Sequence, residues 1–385
     1  MGLWAIITRE VRRISRRPIY KWTMIIIPLA CACFFVSLLA PGLPVKVPTA
    51  VVDLDNSSLS RQIIRDLGAS EFIDITNRLD NYHEALDAVR RGDIFGFFII
   101  PNEFEKNAIA TNSPTITYYC NMAYFIPGTL SFKGFMTIAV STTGSMAKMQ
   151  LVSTGIDSNA TGALIQPLVV QDHPMGNPWS NYSIYLCNSF APAVLALLIM
   201  LTTVFSICEE IKRGTSVEWL AKAHGSIIIA LVGKLLPHTL IFSIVGISMQ
   251  SLLYGYNHYP LNCPIWVMIV AMVLFIIACQ AFALFVSCIL PNLRLALSVV
   301  SLIGVLSFSI TGFSFPTENM YGAIAIFSYI VPVRYYFLIY IDQALNGISL
   351  YYSRWYFVWL TIFPLVATTM LWRLKKACQK PVYVP

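Results

Sequence analysis

The sequence predicts an α-helical polytopic membrane protein with six transmembrane helices and a small α/β extracytoplasmic domain. Three observations support this fold class. Apolar residues make up 57% of the 385-residue chain and charged residues only 12%, about half the charged share of soluble globular proteins. Several apolar stretches reach the roughly 18–20 residues that cross a bilayer, and one long polar insert separates the first stretch from the others. This composition excludes a soluble enzyme, a disordered chain and a secreted disulfide-rich module.

Six stretches are long and apolar enough to be transmembrane helices. Prolines inside the second, third and sixth are compatible with this reading, because membrane helices tolerate proline better than soluble ones do. A tight turn at Pro291-Asn292 joins the fourth to the fifth. The predicted spans cover residues 22–39, 184–207, 232–253, 265–290, 293–313 and 355–372.

The Lys and Arg residues in the short flanks of the spans set the predicted orientation. With the N-terminus in the cytoplasm, the inside flanks hold fourteen basic residues, whereas the short outside loops hold only Arg334 and Arg354. Both termini are therefore predicted to be cytoplasmic. The predicted regions are a cytoplasmic interface helix (1–21), the first transmembrane helix (22–43), an extracytoplasmic domain (44–183), transmembrane helices two to six (184–374) and a cytoplasmic tail (375–385).

The long insert, residues 44–183, holds nine basic and thirteen acidic residues and is therefore polar and mildly acidic. Strand-like and helical stretches alternate along it, which predicts a small α/β domain. Ser58 is expected to cap the first helix, and Asn81 with Glu84 to open the second. The predicted strands cover residues 46–54, 72–76, 94–100 and 114–120, and a long helix covers 130–165.

Asp53, Asp55 and Asn56 could suggest a metal loop in this insert. They lack the spacing of a calcium-binding loop and the glutamate at its twelfth position. We interpret them as a turn that ends a strand, and the sequence predicts no metal site.

Sequence motifs for nucleotide binding or hydrolysis are absent. Gly233-Lys234 lacks the upstream glycine and the following Ser or Thr of a P-loop. The spans hold few ionisable residues, chiefly Lys234 and His238, whereas ion-coupled carriers usually need more. A transporter of this kind would take its energy from another subunit. Since no P-loop is present, we expect no cofactor on this chain. We also expect no nucleic-acid partner, because the surplus basic residues flank the spans.

Two segments are candidates for contact with a cytoplasmic partner. Residues 3–17 predict an amphipathic helix lying on the inner membrane surface, with Leu3, Ile7, Val11 and Ile14 on its apolar face. The alternative is that its bases only fix the topology of the first span. Basic residues beside the apolar face are Arg9, Arg12, Arg13, Arg16 and Arg17.

The second candidate segment is residues 208–226. Its two adjacent glutamates, Glu209 and Glu210, are costly at a membrane exit unless they face water or a basic partner. The alternative interpretation is a solvated connecting loop.

Several motifs resemble those of membrane subunits of type-2 ATP-binding-cassette (ABC) exporters. The resemblance follows the order of the family's motifs along essentially the whole chain. Tyr321 stands where the family often has proline, and Val331 where it often has asparagine. The matching segments are residues 51–57 (V-V-D-x-D), 96–101 (A-x-x-x-I-P), 209–215 with 233–237 (E-R/E-x-x-x-G-T and G-K-x-L-P), 315–320 (F-P-x-x-N-M-P) and 331–336 (N-P-x-R-Y-F).

This resemblance implies the permease half of an exporter in a bacterial inner membrane, moving a hydrophobic or amphiphilic, drug-like or lipid-like molecule outward. The chain would pair with a second permease chain, identical or different, and separate ATPase subunits would bind and hydrolyse ATP. A periplasmic adaptor and membrane lipid are further expected partners. The chain itself would not be an enzyme.

The resemblance also implies roles for particular residues. The loop 208–226 would couple to the ATPase, and a re-entrant hairpin, residues 316–345, would help to close the outer exit. Coupling residues would be Glu209, Glu210, Lys212, Arg213, Gly214 and Thr215, and outer-gate residues would be Pro316, Glu318, Asn319, Met320, Pro332 and Arg334.

A second functional class stays open at this point. The chain could be a membrane-anchored surface receptor or a secretion-accessory protein that acts through residues 44–183. A structured cytoplasmic contact at residues 209–215 would favour the exporter, because a surface receptor does not need one.

Overall fold

The computed structural model describes residues 2–110, 112–153, 165, 176–178, 181–313 and 315–381. The chain forms two compact units. We call residues 1–42 with 173–385 the helical unit, and residues 43–172 the insert domain; the predicted insert, 44–183, extends further at its C-terminal end. Two residues of the predicted insert, Asn159 and His173, lie outside the described residues.

The helical unit begins with two helices, α1 (Leu3–Arg16) and α2 (Pro18–Leu38). Arg17 between them has an extended backbone, with φ −104° and ψ 117°, because the ring of Pro18 disfavours a helical conformation in the preceding residue. The first apolar helix therefore begins at Pro18 rather than at the predicted residue 22. The predicted interface helix, 1–21, correspondingly ends at Arg16.

The insert domain is a four-stranded sheet flanked by helices. Its elements are β1 (Val47–Asp53), α3 (Ser58–Ala69), β2 (Ile73–Arg78), α4 (Tyr82–Arg91), β3 (Gly96–Ile100), α5 (Phe104–Ile109), β4 (Thr117–Cys120) and α6 (Phe125–Ser153). The strand order is β2-β1-β3-β4. Strand β1 is parallel to β2 and β3, and β4 is antiparallel to β3. Val51 and Phe98 pack one face of the sheet against α3, and Phe97 packs the other face against α4.

This order reproduces the β-α-β alternation that the sequence predicts. Asn81 caps α4 as expected, because its Oδ1 accepts a hydrogen bond from the Glu84 amide at 2.9 Å. The predicted cap of α3 is wrong by one residue: Ser57 Oγ, not Ser58, accepts from the Ser60 amide at 3.0 Å. The predicted long helix begins earlier, at Phe125, and its residues 154–164 lie outside the described part of the chain.

Asp53 and Asp55 form a strand-ending turn, as the sequence indicates. Asp53 Oδ1 accepts hydrogen bonds from the amides of Asp55 and Asn56. The Asp55 carboxylate accepts from the amides of Phe104 and Glu105 at 2.9 and 3.1 Å, and so caps α5. Burial raises the pKa of Asp55, but the hydrogen bond from the Ser57 side chain and those from these amides together outweigh burial and lower the pKa below its usual value. The described residues contain no group of three or more His, Cys, Asp or Glu side chains placed to hold a metal.

The helical unit continues after the insert with long apolar helices and shorter connecting ones. Pro192, Pro237 and Pro364 lie inside these helices without ending them. The helices are α7 (Tyr182–Lys212), α8 (Ser216–Lys222), α9 (Ile227–Tyr256), α10 (Ile265–Ile289), α11 (Leu293–Ile310), α12 (Gly322–Ser328), α13 (Pro332–Leu345), α14 (Leu350–Thr368) and α15 (Leu371–Gln379).

The helical unit is that of a polytopic membrane protein. Among the described residues, five helices are each long and apolar enough to cross a bilayer: α2, α7, α9, α10 and α11. Two further pairs are bent, α12 with α13 by 76° and α14 with α15 by 40°. Length and composition thus allow five to seven spans, and the number six stays a prediction.

The end of the chain differs from the prediction. The predicted last span, 355–372, corresponds to α14, which begins earlier and ends at Thr368. The bend that follows places Trp372 in α15. Leu374 and Cys378 of α15 are buried, so the first five residues of the predicted tail, 375–379, belong to a packed helix. Apolar residues at a spacing of four explain this packing.

Helix α7 lies at the centre of the helical unit, where it contacts α2, α10 and α11. Its membrane-length segment is largely buried, whereas α2 and α11 are mostly exposed. Leu302 and Val305 of α11 are 60% and 63% exposed. Apolar side chains on such outer faces suit contact with lipid or with another apolar helix.

Candidate coupling site

A compact apolar cluster brings α1, α8, α15 and the ends of the long helices together. Trp219 and Leu220 of α8 are buried in it, together with Ile6 of α1 and Leu374 of α15. The hydroxyl of Ser216 donates a hydrogen bond to the Cys378 carbonyl at 2.9 Å. One face of α8 is therefore fixed against the helical unit.

Helix α1 packs unusually closely on α9 at Gly233. A Cβ atom placed on Gly233 would lie 3.0 Å from the Cβ of Ile6 and 3.2 Å from Leu3 Cδ1. Such distances are too short for a comfortable contact, so the absence of a side chain permits the approach. This explains the glycine that precedes Lys234 in the sequence motif.

Lys234, the next residue, makes two buried ion pairs. Its Nζ donates to Glu10 Oε2 at 2.8 Å and to Glu210 Oε1 at 2.9 Å, and all three side chains are at most 1% exposed. The same ammonium lies 5.1 Å from the centroid of the Trp219 ring. Lys234 thus joins α9 to α1, α7 and α8.

Glu10 is the acidic centre of this arrangement on α1. His238 Nε2 lies 3.0 Å from Glu10 Oε1, and the ring of Tyr20 packs edge-on against His238. Burial alone would raise the pKa of Glu10, but the attraction of Lys234 and the contact with His238 outweigh burial and hold the pKa well below its usual range. Glu10 is therefore a buried carboxylate that depends on its partners.

At the end of α7, Glu209 and Glu210 pair with arginines of α1 and with Arg17, the residue that follows α1. Arg9 Nη2 donates to Glu210 Oε2 at 2.8 Å, and Arg17 Nη1 to Glu209 Oε2 at 2.5 Å. Arg13 contacts both carboxylates. We call Arg9, Glu10, Arg13, Arg17, Glu209, Glu210, Lys234 and His238 the ion network.

This network corrects one prediction. Glu209 and Glu210 are 4% and 0% exposed, so their basic partners come from the same chain and not from another subunit. The face of α1 that packs inside the chain is formed by Ile6, Glu10 and Ile14, because Glu10 must face Lys234. Leu3 and Val11 of the predicted membrane-facing stripe are exposed, and the contact of that stripe with the inner membrane surface stays a prediction.

A comparison with known protein families identifies the family of this chain. The family described as "ABC-2 family transporter protein" matches residues 20–373. The chain belongs to the ABC-2 transporter family. No curated protein matches the sequence. Family membership confirms the resemblance seen in the sequence and implies an ABC ATPase as partner.

The remaining predicted coupling residues of this ABC-2 transporter lie in and around the turn between α7 and α8. Lys212, Arg213 and Gly214 are exposed, and Gly214 has the positive φ, 69°, that favours glycine. Thr215 directly precedes α8, but its side chain does not cap that helix. Its hydroxyl bonds the Glu210 carboxylate instead, because that buried acceptor lies within reach.

The predicted outer-gate residues surround α12. Arg334 is buried and donates to the Thr311 carbonyl at 2.8 Å and to Thr317 Oγ1 at 3.2 Å. Its guanidinium lies 4.7 Å from the Tyr329 ring centroid. Arg334 of α13 therefore contacts the end of α11 and the segments that precede and follow α12. The other gate residues divide between a surface turn and the start of α13: Pro316, Glu318 and Asn319 are exposed, Met320 is half-buried, and Pro332 is buried.

Sequence reasoning did not identify Glu10 or Arg17 as site residues of the network. Glu10 is the single acidic residue in a basic stretch, and it stands four residues after Ile6 and four before Ile14. That spacing places the acid on the buried face of α1. The sequence signal that could have identified Glu10 was therefore a lone acidic residue inside a basic, amphipathic helix.

We predict that Gly233→Ile displaces α1 from α9. The added side chain cannot fit against Ile6, and overpacking of this kind typically costs about 1–3 kcal/mol. Limited trypsin digestion of the detergent-purified chain should then cut faster after Arg12 and Arg16. Gly255→Ile is the matched control, because Gly255 has open space around it. Equal cleavage of both variants would contradict the close approach.

We also predict that Lys234→Met strongly destabilises the helical unit. Two buried carboxylates lose a partner, and breaking a buried ion pair costs about 3–5 kcal/mol. The melting temperature of the purified chain is the measurement. Lys222→Met is the control, because its pair with Glu218 is exposed to solvent and worth about 0–1 kcal/mol. Adding Glu10→Gln to Lys234→Met should recover part of the loss; similar melting temperatures for both single variants would refute the prediction.

Proposed function

We propose that this chain is the permease half of an ABC exporter that moves a hydrophobic or amphiphilic small molecule out across a bacterial inner membrane. A separate ATPase subunit supplies the energy. The observation that carries the proposal is α8, whose inner face is fixed by the ion network and the apolar cluster, while its outer face is open. Family membership supports a transport role, and the resemblance of the motifs supports export.

The outer face of α8 is the proposed docking surface for the ATPase. Val217 is 49% exposed, and Glu218 and Ala221 are also exposed on this side. Arg213 and Gly214 lie just before the helix and are exposed as well. These residues take the docking role that the sequence had assigned to Glu209 and Glu210.

Coupling follows from how α8 is held. Trp219 connects it to Lys234, and through Lys234 to α1, α7 and α9. A movement of the ATPase that displaces α8 is therefore transmitted to three helices at once. The buried face transmits the movement, and the exposed face receives it.

The proposed assembly contains a second permease chain, identical or different. The exposed apolar faces of α2 and α11 offer surfaces for that chain or for lipid. A periplasmic adaptor is a further proposed partner of the insert domain. The receptor or secretion-accessory alternative is less favoured, because the family match extends over the long helices as well as the insert.

We predict that Val217→Glu weakens ATPase binding. A charge in the middle of the docking surface would have to be desolvated on contact, so co-purification of the ATPase should fall about tenfold or more. Membrane abundance of the chain should not change, because Val217 is 49% exposed and is not one of the buried residues of the apolar cluster. Ile109→Glu, at a 74% exposed position of the insert domain, is the control.

Normal ATPase recovery with Val217→Glu would show that α8 is not the docking surface. The double change Glu209→Ala, Glu210→Ala cannot serve this purpose. It removes the two closest carboxylate partners of Arg13 and one of the two carboxylates that pair with Lys234, so we expect it to destabilise the chain itself.

The orientation of the chain is tested by cysteine labelling of intact cells. A membrane-impermeant maleimide should label Asp80→Cys in the insert domain. Ser15→Cys and Gln379→Cys should react only after the membrane is permeabilised, because the basic flanks favour the cytoplasmic side. Wild-type chain measures background from its own cysteines. Labelling of Gln379→Cys in intact cells would contradict cytoplasmic termini.

A further inference from the structure

A cationic pocket of about 290 Å³ lies beside the ion network. We call it the arginine pocket. It is open to solvent, and six of its eight lining residues are arginines. The lining residues are Arg9, Arg12, Arg13, Arg16, Arg17, Arg213, Glu210 and Thr215.

The acids of the network do not neutralise this pocket. Within the described residues, Arg12 and Arg16 pair with no carboxylate, and both are exposed at its rim. The pocket and the network together hold seven permanent positive charges against three carboxylates. The positive groups are Arg9, Arg12, Arg13, Arg16, Arg17, Arg213 and Lys234, and the carboxylates are Glu10, Glu209 and Glu210.

Two guanidinium donors at the pocket also lack a partner. Arg9 Nη1 and Arg13 Nε are buried, and neither makes a hydrogen bond to any residue that the structure describes. Buried donors are nearly always satisfied in folded proteins. Two unsatisfied donors beside an open cationic pocket therefore indicate that an acceptor from outside the chain binds there. A group with several acceptor oxygens and negative charge would satisfy both.

The position of the pocket indicates where such an acceptor comes from. Arg17 directly precedes the apolar helix α2, and Arg213 directly follows α7. The ends of membrane-crossing helices lie at the level of the lipid headgroups. Trp4 and Val11 of α1 and Trp22 of α2 are 78%, 50% and 55% exposed, and apolar and aromatic side chains of this kind suit the membrane interface.

We propose that the arginine pocket binds a phosphate group, supplied by the headgroup of an acidic phospholipid. Guanidinium forks match the oxygens of a phosphate and bind it in a bidentate manner. The surplus of positive charge selects an acidic headgroup over a zwitterionic one, whose ammonium group it repels. The inference needs only that α2 and α7 cross the membrane, and it does not depend on the ATPase.

The test measures lipid binding to the detergent-purified full chain by native mass spectrometry. Wild-type chain should bind phosphatidylglycerol at least about tenfold more tightly than phosphatidylcholine. The double variant Arg12→Gln, Arg16→Gln should lower the affinity for phosphatidylglycerol about thirtyfold, from the contribution of two arginines near an anionic headgroup. These rim residues make no ion pair in the described part of the chain, so the fold should be retained.

The matched control is Arg294→Gln, Lys380→Gln. It removes the same charge from two exposed positions on the same predicted side of the membrane, and it should change the affinity less than about twofold. The variant Arg12→Lys, Arg16→Lys keeps the charge without the fork and should fall between wild type and the glutamine variant.

Inorganic phosphate distinguishes the two sources of the group. If it does not displace phosphatidylglycerol from the wild-type chain, the lipid is the ligand; if it binds and competes, a free phosphate shares the pocket and the phosphate site stands. Equal lipid affinities for the glutamine variant and its control would overturn the proposal. So would unchanged lipid affinity with reduced ATPase co-purification, because the pocket would then hold an acidic side chain of the ATPase.

Discussion

The packing of the helices at the candidate coupling site depends on the buried ion network. Glu10, Glu210 and Lys234 are almost completely removed from solvent, and each would be costly to bury alone. Their pairing compensates that cost only in one arrangement of α1, α7 and α9. Buried ion pairs often add little net stability compared with apolar residues. We infer that the main effect of the network is to specify how these helices pack.

Local sequence patterns predicted much of the architecture. Hydropathy located the long helices, because burial in lipid requires continuous apolar stretches. Asn81 with Glu84 marked the start of α4, because a helix cap acts over a few positions. The family motifs located the candidate coupling site without explaining it.

The partners within the site could not be predicted in the same way. Arg9 and Glu210 are 201 positions apart in the sequence, and no periodicity connects residues at that distance. The sequence showed two acids at a membrane exit and a basic N-terminal helix, and both were assigned to external partners. Their charges instead satisfy each other. The packing of α15 on α8 was missed for the same reason, since a basic C-terminal segment gives no sign of which helix it meets.

The pairing of these charges has a consequence for coupling. Separating α1 from α7 would expose Glu209 and Glu210 to a poorly solvated space without their arginines, which is strongly unfavourable. In the proposed coupling, the helices of the network would therefore move together when α8 is displaced, and conformational change would occur where apolar contacts can slide. Within the described residues, Arg12 and Arg16 take no part in these ion pairs and are exposed. Their positive charge therefore stays available at the surface for the proposed anionic partner.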